Sequence, residues 1–180
     1  MTGTLVVIDM QNVFGDADSP WRTPRFDEVV GPIAHLVDAA DRAVFTRFVA
    51  PERPEGSWVP YYEDWPFALQ PEDAPAWDVV PELADRVDGL VSATTFSKWS
   101  KLRDIVPAGG TLVLCGVSTD CCVLSTALEA ADAGMSVVVV GDACAGVDDD
   151  SHAKALDIMG LYAPLVRVVH SSDALALISS

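Results

Sequence analysis

Short apolar runs and segments of helical periodicity alternate along the chain. The apolar runs predict six strands, at residues 5–8, 43–46, 89–91, 111–115, 136–140 and 165–169. Between them, apolar residues recur at helical spacing over 27–40, 122–133, 151–161 and 173–178. Continuously apolar strands are typical of parallel sheets that are covered on both faces. The alternation therefore predicts βαβ units around a mostly parallel sheet, which is an α/β fold.

One stretch breaks this alternation. Residues from about 50 to 81 are rich in Pro, Trp and Tyr and show no clear period. We expect a long insertion there, lying over the end of the sheet at which open α/β folds bind their ligands. The chain has 180 residues, which is the size of one domain, so we predict a single domain over 1–180.

Charge narrows the range of partners. The chain carries 27 acidic and 11 basic side chains, for a formal net charge of −16. This field repels nucleic acid and anionic lipid, so we expect neither as a partner. It also disfavours highly anionic substrates unless a basic group lies at the site. The sequence has no apolar segment of ~20 residues, and residues 1–4 lack the features of a signal peptide, so we expect a cytoplasmic protein.

Two polar clusters follow predicted strands and are candidates for chemistry. Asp9 heads the first, Asp-Met-Gln-Asn, directly after the first strand. A carboxylate at the end of a buried strand needs a partner or a function, although capping a turn is an equally simple role. The second cluster, Gly-Val-Ser-Thr-Asp-Cys-Cys-Val, spans residues 116–123 at the start of a predicted helix.

A cysteine at a helix N-terminus is a candidate nucleophile. The helix dipole and the free N–H groups favour a thiolate there, and the same N–H groups can hold an oxyanion. A small residue that packs a strand–helix turn is the simpler alternative. The motifs of two other kinds of site are absent. The turn after the first strand lacks the Gly-x-Gly-x-x-Gly pattern of a nucleotide-binding site, and the sequence lacks the Gly-x-Ser-x-Gly elbow of a serine hydrolase.

These motifs resemble the isochorismatase-like cysteine hydrolase superfamily, which includes isochorismatases, nicotinamidases and N-carbamoylsarcosine amidases. The resemblance is carried by residues 7–14, 115–126 and 142–145, with His152 downstream. The family pattern Gly-Val-x-Thr-x-x-Cys-Val falls on residues 116–123. The resemblance implies a three-layer α/β/α fold with a mostly parallel sheet of about six strands in the order 3-2-1-4-5-6.

The resemblance also implies a catalytic set of an aspartate, a lysine and a cysteine. Asp9 matches the aspartate and Cys122 the nucleophile. The lysine does not match as directly. The family usually has it several residues before an aromatic residue, and if Trp99 is that aromatic residue, Ser92 or Ala93 stands at the lysine position in this sequence. We assign the role to Lys98, beside that aromatic. We expect Lys98→Ala to lower turnover by at least roughly 100-fold, the scale of losing a key electrostatic group, with little loss of stability.

Further site features are implied by the same resemblance. A cis peptide is expected between Val117 and Ser118, and the backbone N–H groups of Ser118 and Cys122 are expected to form an oxyanion hole. His152 is interpreted as a structural residue. Nicotinamidases carry metal-binding histidines after the second strand, whereas this chain has none there, so no metal and no cofactor are expected.

The predicted substrate is a small molecule. We interpret five residues as candidates for its pocket: Phe14, Trp21, Arg47, Trp65 and Thr119. The aromatic residues among them are equally good candidates for a subunit interface. Arg47 is a candidate partner for a substrate carboxylate. The resemblance suggests a homo-oligomer, either a dimer or a tetramer.

The preferred functional hypothesis is a cysteine hydrolase that cleaves the C–N bond of a small amide or ureide. In this hypothesis the Cys122 thiolate attacks the carbonyl carbon and a thioester acyl-enzyme forms. Two alternatives stay open. One is a vinyl-ether hydrolase of the isochorismatase type, and the other is a catalytically silent protein of the same fold that binds a small metabolite.

Overall fold

A parallel sheet forms the centre of the protein. The computed structural model describes residues 3–179, and within them six strands pair in the order β3-β2-β1-β4-β5-β6. Their bounds are Thr4–Ile8 (β1), Ala43–Phe48 (β2), Leu90–Ala93 (β3), Thr111–Val117 (β4), Ser136–Ala145 (β5) and Val166–Val169 (β6). All neighbouring strands are parallel. The predicted α/β class and strand order are confirmed.

Helices cover both faces of the sheet. Their bounds are Asn12–Gly15 (α1), Phe26–Ala39 (α2), Trp58–Asp64 (α3), Pro81–Ala84 (α4), Trp99–Leu102 (α5), Leu124–Asp132 (α6), Asp149–Gly160 (α7) and Ser171–Ile178 (α8). The helix predicted from residue 122 begins at Leu124 instead, because residues Thr119–Val123 form a π-helical turn. No helix within residues 3–179 is long and apolar enough to cross a membrane.

Successive side chains of β1 point to opposite faces of the sheet and pack into two separate apolar clusters. Leu5 and Val7 pack with α2 and α8, while Val6 and Ile8 pack with α5, α6 and α7 on the other face. All four side chains are completely buried. Each contributes roughly 1.5–3 kcal/mol through removal of apolar area from water, which explains why β1 is apolar at every position.

The insertion between β2 and β3 is anchored over the carboxyl ends of β1 and β2. It contains α3, α4 and short 3₁₀ turns at Pro66–Ala68 and Pro75–Trp77. The buried Gln11 amide donates to Phe48 O at 2.9 Å and to Trp77 O at 2.8 Å, and its own oxygen accepts from Phe48 N at 2.8 Å. One side chain therefore ties the insertion to two strands.

Candidate active site

The carboxyl ends of β1 and β4 lie side by side where the strand order reverses, which is where open α/β sheets bind ligands. Ile8 of β1 pairs with Gly116 of β4. Gly116 has φ +113°, and a Cβ there would lie 2.1 Å from the Ile8 carbonyl oxygen. Only glycine permits this approach, which brings the residues after both strands together.

Asp9 follows β1 in a left-handed backbone conformation with φ +48°. This region is uncommon for residues other than glycine, although Asp tolerates it better than most. Thr46 of β2 holds the residue in place. The Asp9 N–H donates to Thr46 O at 3.2 Å and to Thr46 Oγ1 at 3.3 Å. The Thr46 hydroxyl in turn donates to Asp9 Oδ1 at 2.7 Å, so the carboxylate is fixed from its own backbone and from the next strand.

Lys98 precedes α5 and points into the protein with no exposed surface. Its Nζ lies 2.9 Å from Asp9 Oδ2 and 3.9 Å from Cys122 Sγ. It also donates to the carbonyl oxygens of Thr95, at 2.7 Å, and of Phe96, at 3.1 Å. The structure thus brings together the three residues that the sequence singled out, Asp9, Lys98 and Cys122.

Thr126 of α6 forms hydrogen bonds with both Cys122, in the π-helical turn Thr119–Val123, and Lys98. Its hydroxyl donates to Cys122 O at 2.7 Å and accepts from Lys98 N at 3.0 Å. Before this turn the Val117–Ser118 peptide bond is cis. The Ser118 carbonyl oxygen accepts from the N–H groups of Cys121, at 3.2 Å, and Val123, at 3.1 Å.

Burial and charge set the proton positions at rest. Burial by itself lowers the pKa of Lys98, but the interactions of its ammonium with Asp9 and Cys122 outweigh burial and hold that pKa above its ordinary value. Burial raises the pKa of the Cys122 thiol well above its ordinary value; the Lys98 ammonium opposes the rise and Asp9 adds to it. These two shifts favour a thiol beside an ammonium at rest over the preformed thiolate that a helix N-terminus favours.

An aromatic cavity of about 410 Å³ opens above Cys122 and Ser118. Six aromatic rings line it: Phe14, Trp21, Phe48, Tyr61, Trp65 and Phe96. The predicted pocket positions Phe14, Trp21 and Trp65 are therefore at the cavity. A larger open groove of about 830 Å³ lies outside it and touches none of the three clustered residues, so the smaller cavity is the one beside the reactive groups.

Two predicted pocket residues do not line this cavity. Arg47 donates to Ser92 Oγ at 2.8 Å and pairs with Glu72 Oε1 at 3.1 Å, which joins β2 to β3 and to the insertion. Thr119 is completely buried, and its hydroxyl lies 2.8 Å from His152 Nδ1 of α7. The prediction that Arg47 and Thr119 line the pocket is therefore wrong, because hydrogen bonds and an ion pair hold their polar groups against side chains outside the cavity.

Several lining residues were not recognised from the sequence, among them Phe48, Phe96 and Arg22. Phe48 is the last residue of β2, where its sequence context indicates only a buried strand residue. Phe96 lies in the loop between β3 and α5, where no periodic pattern indicates which way a side chain faces. The Lys98 ammonium lies 5.1 Å from the centre of the Phe48 ring, which is within range of a cation–π contact. Arg22 lines the cavity from the loop between α1 and α2. Its place after Trp21 was the one signal available.

The residues present do not fit the metal site of nicotinamidases. Within residues 3–179, no three His, Cys, Asp or Glu side chains lie where they could share an ion. His152 lies within hydrogen-bond distance of Thr119, the first residue of the π-helical turn that carries Cys122.

Comparison with known proteins agrees with this architecture. The isochorismatase domain family matches residues 4–171. Isochorismatase domain-containing protein 2 from Xenopus laevis is 30% identical over 139 residues, covering 74% of this chain and 58% of that protein. The chain spans less than two thirds of the length of the curated relatives it matches.

Solved structures share the fold at lower identity. A cysteine hydrolase from Pseudomonas syringae pv. phaseolicola has a TM-score of 0.84 at 19% identity, covering 98% of this chain and 92% of that one. A nicotinamidase/pyrazinamidase from Bacillus subtilis has a TM-score of 0.72 at 19% identity, covering 94% and 100%. Because the family match extends over most of the chain, the protein belongs to the isochorismatase domain family.

Proposed function

We propose that the protein is a cysteine hydrolase that cleaves the C–N bond of a small amide or ureide. The observation that carries the proposal is the position of the Lys98 ammonium, 2.9 Å from Asp9 and 3.9 Å from Cys122, beneath the aromatic cavity. A nucleophile, a base and a cation within reach of one cavity are the parts that covalent catalysis needs.

In the first half-reaction Asp9 takes the proton of the Cys122 thiol. The thiolate attacks the carbonyl carbon of the substrate, and the charge that develops on the oxygen is stabilised by the N–H groups of Ser118 and Cys122. The C–N bond then breaks as Asp9 returns the proton to the leaving nitrogen. A thioester on Cys122 and a free amine result, and Asp9 is again a carboxylate.

Water completes the cycle. Asp9 accepts a proton from a water molecule, whose oxygen attacks the thioester carbonyl carbon. The C–S bond breaks, the acid is released, and the sulfur recovers the proton held by Asp9. Throughout both steps Lys98 stays protonated and balances the single negative charge that moves between the carboxylate and the sulfur. The aromatic walls suit a flat or apolar acyl group.

The experiment is a hydrolysis screen over small amides, ureides and isochorismate, combined with intact-mass spectrometry of quenched reactions. Turnover of an amide or ureide together with an acyl adduct on Cys122, absent in Cys122→Ala, is the expected result. Turnover of isochorismate that survives Cys122→Ala would favour the vinyl-ether hydrolase instead. Tight binding of a metabolite without turnover would favour the silent binding protein.

We also propose a homo-oligomer, a dimer or a tetramer, on the basis of the family resemblance. Large apolar side chains near the carboxyl end of α7 are exposed and support burial against another subunit: Ile158, Leu161, Tyr162 and Leu165. Light scattering coupled to size-exclusion chromatography measures the mass in solution. A monomeric mass at micromolar concentration would contradict the proposal.

A further inference from the structure

Four aromatic rings form a closed circuit in the wall of the cavity above Cys122. The ring centre of Trp21 lies 6.0 Å from that of Tyr61 and 5.9 Å from that of Phe48. Phe96 completes the circuit, at 5.9 Å from Tyr61 and 6.1 Å from Phe48. Around the circuit, successive ring planes meet at 41°, 78°, 26° and 72°. The wall therefore presents π-systems in several orientations and not as one flat stack.

The charged groups near this wall are already compensated or directed elsewhere. Arg22 contributes to the lining, but its guanidinium donates to Gly15 O and, at 3.0 Å, to Asp27 Oδ2. Both of these partners line the larger groove outside the cavity and not the cavity itself. The Lys98 ammonium is paired with Asp9 at 2.9 Å. Within residues 3–179, no acidic side chain lines the cavity, so the rings are left as its main means of attracting a charged ligand.

The larger groove gives the surroundings of the cavity a negative charge. Pro20 lines both spaces, so the groove adjoins the cavity. The charged side chains that line the groove within residues 3–179 are all acidic: Asp16, Asp18, Asp27 and Glu82. Together with the net charge of −16, this field raises the local concentration of cations and lowers that of anions. A cation is therefore the charged ligand that the approach to the cavity favours.

We propose that the cavity takes substrates that carry a quaternary ammonium group in addition to the scissile amide or ureide. This inference rests on the proposed amide or ureide hydrolase and names its substrate class. Aromatic faces attract a cation that lies within about 6 Å of the ring centre, and several faces together recognise quaternary ammonium groups. One ring of the circuit already shows this geometry, because the Lys98 ammonium lies 5.1 Å from the centre of the Phe48 ring.

The quaternary form fits the lining better than a primary ammonium does. A primary ammonium carries three hydrogen-bond donors that need acceptors, and the described lining offers it no carboxylate. A trimethylammonium group has no donor, and its methyl groups can pack against aromatic walls. With the scissile carbonyl at Cys122, the ammonium group lies against the aromatic circuit.

Two amides of the same shape isolate the effect of the charge. Betainamide carries a trimethylammonium group on its methylene carbon, and 3,3-dimethylbutanamide carries a neutral tert-butyl group in the same place. Isothermal titration calorimetry in the Cys122→Ala background measures their binding without turnover. We expect betainamide to bind at least roughly tenfold more tightly, the scale of a desolvated cation–π contact. If betainamide binds no more tightly than its neutral counterpart, or if neither binds, the inference is overturned.

Variants of single rings assign the preference to the circuit. Tyr61→Leu removes one π-system and keeps an apolar wall, so it should reduce the preference for betainamide at least roughly threefold. Tyr61→Phe keeps the ring and should retain the preference. Phe67→Leu is the matched control, because Phe67 packs 5.1 Å from Trp21 but lines the groove and not the cavity. Trp65→Leu repeats the test at another ring that lines the cavity.

The pattern across these variants decides between recognition of charge and simple packing. Equal weakening of both amides by Tyr61→Leu and Trp65→Leu, or loss of the preference in Phe67→Leu, would overturn the inference. Hydrolysis by the wild-type protein separates it from the proposed function. Preferential binding of betainamide with no hydrolysis of any amide or ureide would uphold the cation site and refute the hydrolase. Hydrolysis of neutral amides without a preference for betainamide would do the reverse.

Discussion

The Lys98 ammonium and the Asp9 carboxylate form an ion pair of 2.9 Å in which neither side chain has any exposed surface. Such a pair adds little net stability compared with apolar packing, because both charges lose their hydration. Removing one partner is costly, since the other charge then stays buried and uncompensated. The pair is therefore better explained by a role at the site than by a contribution to folding.

Lys98→Ala should reduce both activity and stability. We expect turnover to fall by at least roughly 100-fold and the free energy of unfolding to fall by about 3–5 kcal/mol. The sequence suggested little loss of stability for this variant, but the complete burial of Lys98 reverses that expectation. Urea denaturation and kcat/KM measure the two effects. Lys101→Ala is the control and should be nearly neutral, because Lys101 is exposed.

Asp9→Asn should make the Cys122 thiol more reactive while it abolishes hydrolysis. Asp9 raises the pKa of Cys122 and Lys98 lowers it, so neutralising the carboxylate lowers that pKa and increases the thiolate fraction at neutral pH. The measurement is the rate of iodoacetamide labelling, mapped by mass spectrometry. Cys121 is the internal reference, since burial and Asp120 raise its pKa to about 11. Slower labelling of Cys122 in the variant would contradict this electrostatic account.

His152 should make stability depend on pH. Burial lowers the pKa of His152, and the Arg25 guanidinium lowers it further, against smaller opposing effects of Asp149 and Asp120. The folded state therefore binds fewer protons than the unfolded state below about pH 6.5, so this contribution is present above that pH and is lost as the pH falls.

The test for His152 is a comparison with His152→Gln, whose amide does not titrate. Between pH 7 and pH 5, the free energy of unfolding should fall more steeply for the wild type than for the variant. Both proteins share the same carboxylates, so their contributions cancel in the difference. Equal slopes in urea denaturation at the two pH values would show that His152 does not titrate as its surroundings indicate.

Gly116→Ala should strongly destabilise the fold. The added Cβ would lie 2.1 Å from the Ile8 carbonyl oxygen in a backbone with φ +113°, so β1 and β4 could not keep their pairing. We expect a loss of roughly 3 kcal/mol or more in the free energy of unfolding. Gly160→Ala at the end of α7 is the control, because nothing lies within 4 Å of its Cβ position, and it should change the free energy of unfolding by less than ~1 kcal/mol.

Removal of metal ions should leave hydrolysis unchanged. Within residues 3–179, His, Cys, Asp and Glu side chains do not converge into a group of three or more that could hold an ion. Activity on a substrate found in the screen is compared before and after dialysis against a chelator, with elemental analysis of the purified protein. Stoichiometric zinc or iron whose removal abolishes turnover would refute this prediction.

Local sequence determined most of the fold. A run such as Leu5 to Ile8 is apolar at every position, and such a run is stable only as a strand covered on both faces. Several boundaries escaped this logic, and the end of the fifth strand differs most. The sequence ends the fifth strand at Val140, before Gly141, whereas β5 continues to Ala145. Its extension depends on pairing with β4 beyond a register shift between Leu114 and Gly116, and such pairing between distant segments leaves no periodic signal.

The sequence also identified Asp9 and Cys122 as candidate reactive groups. Asp9 directly follows a buried strand, and the resemblance of residues 116–123 to the family pattern selected Cys122 in the segment after the fourth strand, so both were expected at the carboxyl edge of the sheet. What only the tertiary structure decided is which charged side chains face them. Lys98, Arg22 and Arg47 all lie in or beside segments that end near this edge, yet Lys98 reaches Asp9, Arg22 lines the cavity, and Arg47 pairs with Glu72. The direction of a long charged side chain is set by the partners that compensate its desolvation, and those partners come from distant parts of the chain.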